Sequence, residues 1–90
     1  MGIDKFDNET AVIIFPNPVN DVINFSFKGI NHKSVLINIY SIQGKLLIKQ
    51  NMFIQDDGVY TLETQNLAQG MYFVEIEFDG YKLTKKFNKN

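Results

Sequence analysis

Large apolar residues fall on every second position over the last third of the chain. Tyr72, Val74, Ile76 and Phe78 occupy one phase and Glu75 and Glu77 the other, the period of a half-buried strand. Asp79-Gly80 follows, a pair that supplies two consecutive positive-φ residues for a type I′ turn. The returning segment sets Tyr81, Leu83 and Phe87 in one phase and Lys82, Thr84, Lys86 and Asn88 in the other. Lys85 interrupts the apolar phase, which puts the end of this strand at a sheet margin where an ammonium reaches water. The pattern predicts a hairpin close to the last residue.

Earlier segments are shorter but follow the same logic. Ala11 to Phe15 is a β-branched and aromatic run, ended by Pro16-Asn17-Pro18. Each proline removes a donor and restricts the residue before it, so this is a rigid corner. Ile23, Phe25 and Phe27 then alternate with Val22, Asn24 and Ser26, and a loop covers Ile30 to Ser34. Val35 to Tyr40 shows little alternation, as expected of a central strand covered on both faces. Ser41-Ile42-Gln43-Gly44 is a tight turn, Lys45 to Met52 a fourth strand, Gln55 to Gly58 a turn, and Val59 to Glu63 a fifth strand. Thr64 to Gly70 holds a single helical turn at most. About seven short strands with turn signals every 8–12 residues or so predict an all-β, immunoglobulin-like antiparallel β-sandwich. Residues 1–11 are polar and aperiodic, a linker remnant in which Met1-Gly2 reads as the start of an expressed fragment. Residues 12–90 form the domain.

Composition narrows the function classes. Ninety residues make one domain with a modest core. Without cysteine, neither a disulfide framework nor a thiolate metal site is possible. The formal net charge of −1 supplies no field for nucleic acid or anionic lipid. All basic residues are lysine, so the bidentate guanidinium fork that reads phosphate or guanine is absent. No apolar run approaches the roughly 18 residues of a membrane span.

The catalytic inventory is thin. His32 is the only histidine and sits in a loop between Asn31 and Lys33; as a general base it needs an orienting carboxylate and a nucleophile brought near by the fold, and a solvated loop histidine is the simpler reading. Asp56-Asp57 before Gly58 reads as turn chemistry; the other reading is a partial oxygen set for a calcium ion. Asp4, Asp7 and Glu9 form a second acidic group in the polar segment. Glu75 and Glu77 read as a solvated strand face. Lys82, Lys85, Lys86 and Lys89 crowd the last nine residues. They read either as a charged edge that discourages aggregation or as a basic strand presented to a partner.

Four pieces taken together carry a resemblance. They are Phe15-Pro16-Asn17-Pro18, the run Ile37 to Leu47 with Gly44-Lys45, the run Leu67 to Val74 with Gly70 and Tyr72, and Lys85-Lys86-Phe87 near the last residue. Their order and spacing closely resemble the C-terminal sorting domain of the type IX secretion system of Bacteroidetes, from about Val12 onward. The resemblance implies a folded address label with no catalytic residue, cofactor or metal. It implies a larger cargo attached on the N-terminal side, which passes through the periplasm to an outer-membrane translocon. A sortase-like cysteine protease then removes the domain, and the cargo is released or anchored at the cell surface. The sorting positions it marks are Pro16, Asn17, Pro18, Gly44, Lys45, Gly70, Tyr72, Lys85, Lys86 and Phe87. One departure is the polar ending Asn88-Lys89-Asn90.

The competing class is an accessory β-sandwich of a secreted hydrolase that binds carbohydrate or a surface, with Phe53, Phe73 and Tyr81 as stacking candidates. Exposed edge strands would also allow weak pairing between copies.

Overall fold

The computed structural model describes residues 12–90, so the polar segment 1–11, with its acidic group and its assignment as a linker, lies outside the described residues. The described residues form seven strands: β1 (Val12–Phe15), β2 (Val22–Phe27), β3 (Lys33–Ser41), β4 (Leu46–Ile54), β5 (Gly58–Glu63), β6 (Gly70–Phe78) and β7 (Tyr81–Lys89). They form two antiparallel sheets of order β1-β2-β5 and β4-β3-β6-β7. This is the expected β-sandwich. The fourth strand lies beside the third because the short Ser41–Lys45 turn returns the chain within the same sheet. In the constant-type immunoglobulin arrangement that strand joins the opposite sheet.

The alternating apolar residues meet between the sheets. Ile23, Phe25 and Phe27 from β2 face Val35, Ile37 and Ile39 from β3 and Val74, Ile76 and Phe78 from β6, all buried. Val19, Ile30 and Leu67 close the core from the loops. As expected, β3 is interior to its sheet, with Asn38 buried and Leu36 and Tyr40 half-buried on its outer face. Asp79 and Gly80 have φ of 52° and 78°, the two positive values of a type I′ turn.

Several boundaries differ from the pattern. β3 begins at Lys33, inside the expected loop, and β4 continues to Ile54. Main-chain pairing with a neighbour carries both past the residues whose side chains signal a strand. The Thr64 to Gly70 connector contains turns and no helix. The apolar phase of β7 does not stop at Lys85, which is half-buried opposite Val74; the strand runs on to Lys89. β7 is indeed a sheet margin, and its last lysine is buried.

Candidate functional site

The segments that carried the resemblance are far apart in sequence, and strand register brings them to one end of the sandwich. Ser41 lies opposite Tyr72, and Tyr72 opposite Phe87. The turn after β3, the start of β6 and the end of β7 therefore share a row. The proline corner joins them from the other sheet. The Val19 N–H donates to the Asn88 carbonyl at 2.7 Å, and the Asn90 N–H donates to the Val19 carbonyl at 2.8 Å. The Asn88 N–H donates to Asn17 Oδ1 at 3.1 Å, and Asn90 Nδ2 to Asn20 Oδ1 at 3.2 Å. Both peptide bonds preceding Pro16 and Pro18 are cis.

The 64–70 connector completes this signature end. Thr64 is buried, its N–H donating to the Asp21 carbonyl at 2.8 Å and its hydroxyl to the Asn20 carbonyl at 3.0 Å. Lys89 is 7% exposed, and its Nζ donates to the Leu67 carbonyl at 3.1 Å. A buried ammonium needs such acceptors, because desolvation without them is costly. The Tyr72 ring stacks on Phe87 with centroids 5.6 Å apart, and its hydroxyl donates to the Ala68 carbonyl. Amphipathic tyrosine suits this place, an apolar ring inside and a polar tip at the margin. Gly44 and Gly70 have φ of 92° and 147° with open space where a Cβ would stand. Backbone conformation, not crowding, selects glycine there.

The ten sorting positions thus divide by exposure. Tyr72 and Phe87 are buried, and Gly70 and Lys85 half-buried; Pro16, Asn17, Pro18, Gly44, Lys45 and Lys86 face solvent. Lys45 is held by its main chain, with its N–H donating to Ser41 Oγ at 3.2 Å and its carbonyl accepting the Ser41 N–H at 2.9 Å. Asn88, Lys89, Asn90, Val19 and Leu67 belong to the same end and were not among the expected positions. Two of them left a signal in the sequence: Leu67 heads one of the segments that carried the resemblance, and Lys89 lies in phase with Leu83, Lys85 and Phe87.

The direction of the Asn88 groups also fixes the main-chain phase of β7. Its N–H and C=O point away from β6 toward the corner. Main-chain groups alternate in direction along a strand, and the β6–β7 register is unbroken from Gly70 to Phe78. Lys82, Thr84 and Lys86 therefore direct N–H and C=O groups outward, while Leu83, Lys85 and Phe87 bond to β6.

Away from that end, Glu75 departs from the solvated face expected of it. It is half-buried in the outer face of the larger sheet, where Oε1 accepts from Asn38 Nδ2 and from the Tyr40 hydroxyl, each at 3.3 Å. Lys82 Nζ lies 3.7 Å from its other oxygen. Partial burial, then the Glu75 charge and hydrogen bond, raises the Tyr40 phenol above its ordinary pKa of 10.0. Asp57 reaches out of its turn instead of bonding local backbone, with Oδ1 accepting the N–H of Gly29, in the loop after β2, at 2.8 Å. Among the described residues, no group of three His, Asp or Glu side chains is placed to hold a metal. His32 is an exposed loop residue with φ of 53°.

The stacking candidates form no shared platform. Phe53 lies opposite Ser34, whereas Phe73 lies opposite Tyr40. Six residues along a strand separate those positions, roughly 20 Å. Tyr81 starts β7 against Phe78.

The arrangement defines a class, a β-sandwich whose distinctive residues tie one end together and leave a lysine-rich strand on its margin. The profile of the secretion system C-terminal sorting domain matches residues 13–90, and the chain belongs to that family. No curated protein matches the chain. The chain is accordingly a C-terminal sorting signal for type IX secretion, a class that works with the type IX machinery and directs proteins to the cell surface or beyond. The family is a secretion signal and not a catalytic domain, and no helix among the described residues is long and apolar enough to cross a membrane.

Proposed function

We propose that the type IX translocon reads this domain, in the periplasm, through the signature end and the free margin of β7. Residues 12–90 are the unit it recognises. Residues 1–11 are the tether to a cargo on the N-terminal side, and a sortase-like protease cuts on that side once the cargo has crossed. Tyr72, Phe87 and Gly70 serve by building the surface. Asn17, Lys45 and Lys86, which are exposed, serve by touching the partner. The observation that carries this reading is the convergence of all four signature segments beside a strand whose outward main-chain groups, from Lys82 to Lys86, meet no ladder partner among the described residues. Recognition of such a margin by strand addition draws affinity from main-chain hydrogen bonds and specificity from side chains.

Thr84→Pro tests it. The Thr84 N–H points outward, so proline there removes a margin donor without breaking the β6–β7 ladder, the position where strands tolerate proline. The test uses a fluorescent protein carrying an inner-membrane signal peptide, fused ahead of residues 11–90 and expressed in a Bacteroidetes host. The parent fusion reaches the medium or surface without its sorting domain. The Thr84→Pro fusion stays in the periplasm, with a domain melting curve close to the parent's. Normal export of a folded Thr84→Pro fusion contradicts strand addition at β7.

A further inference from the structure

Four strands have one side with no ladder partner among the described residues, and they are not equivalent. β7 carries four lysines, and its end already engages Val19; β1 has four residues and β5 six. β4 has nine, Leu46 to Ile54, with Lys49 as its one charge. Its outer face exposes Leu47 and Phe53, the latter 57% exposed. A long margin guarded by a single charge remains open to another strand. Beneath it the sandwich is open, with a groove of about 490 Å³ between Ile48, Gln50 and Met52 of β4 and Tyr60 and Leu62 of β5.

We infer that the occupant is a second copy of this chain, its β4 antiparallel to the first about a two-fold axis at Gln50. The strand is self-complementary in that register. Leu47 meets Phe53, Ile48 meets Met52, and Lys49 meets Asn51, so no like charges face each other. The main-chain phase agrees. Carried across the sheet from β7, it bonds Ile48, Gln50 and Met52 to β3 and turns the groups of Leu47, Lys49, Asn51 and Phe53 outward. Those outward residues pair with one another in this register. The Gln50 amide now donates to the Asn51 carbonyl at 3.1 Å, an outward acceptor that the Lys49 N–H of the second copy takes over. Ile48 and Met52 of the second copy then lie over the groove, beside Tyr60 and Leu62. The β-bulge at Ile39/Tyr40 ends the usable ladder near Leu47.

The chain has no cysteine, so single substitutions in the full-length protein report the interface directly. Gln50→Cys places two thiols on the axis in a pair with Cα atoms about 4.5 Å apart, within disulfide range. Val59→Cys and Thr84→Cys mark the β5 and β7 margins. Sedimentation is expected to show a concentration-dependent dimer, and mild oxidation to cross-link Gln50→Cys far ahead of the other two. Asn51 is exposed, so its variants leave the core intact. Asn51→Lys faces Lys49 twice per dimer and weakens association about tenfold, whereas Asn51→Glu tightens it. The gap between them narrows in salt. A chain monomeric at millimolar concentration, equal effects of the two Asn51 variants, or cross-linking led by position 59 or 84 overturns the inference.

Discussion

The two ends of this sandwich are held by different means. At the signature end, strands and loops from both sheets are joined by main-chain pairs and by a buried lysine: Val19 with Asn88 and Asn90, Thr64 with Asp21, Lys89 with Leu67. At the far end, where β1 begins and the β6–β7 hairpin turns, the ties between segments run mostly through exposed groups. The Lys33–Asp79 ion pair spans 2.7 Å, with both side chains about a third or more exposed, and Asp57 reaches the Gly29 amide. Buried ties resist water and salt, whereas exposed ones are weakened by both. The contrast teaches that the signature residues first make one end of a small domain rigid. Presentation to a partner follows from that rigidity.

Substitutions can break this comparison in order of size. Phe87→Ala removes the ring stacked on Tyr72 and opens the core where the last strand meets the corner. It should cost about 3–5 kcal/mol in denaturant unfolding; a loss under about 1 kcal/mol shows that this end tolerates loose packing. A matched pair of lysines sharpens the contrast. Lys89→Ala leaves the Leu67 carbonyl without its donor and should cost about 1–3 kcal/mol. Lys33→Ala at the far end removes only an exposed ion pair and should cost about 1 kcal/mol or less, falling further in salt. Equal losses for the two lysines would erase the distinction between the ends.

Much of the architecture was legible because alternation and turn chemistry are local. The Tyr72 to Phe78 phase, Asp79-Gly80 and the β-branched runs placed the strands with no knowledge of neighbours. Register and crossover were not legible, and the site depends on them. Lys85 read as the point where the inner phase failed, because a charge in an apolar phase signals water unless an acceptor is known. The acceptor of Lys89 is a main-chain carbonyl 22 residues away, which no side-chain pattern records. Glu75 read as solvated for the same reason, since its donors Asn38 and Tyr40 stand on another strand. The four signature segments were recognisable as a set, but their meeting at one end follows from pairings such as Ser41 with Tyr72.

The central claim is that the partner reads the signature end and not the far end, and matched charge reversals in the export assay test it directly. One fusion carries Lys45→Glu with Lys86→Glu at the signature end, and the other Lys28→Glu with Lys33→Glu at the far end. Both change the net charge equally, and all four positions lie outside the apolar core. The predicted result is loss of export for the first fusion and normal export for the second, with both domains melting near the parent. Export of the first together with retention of the second in the periplasm contradicts the account.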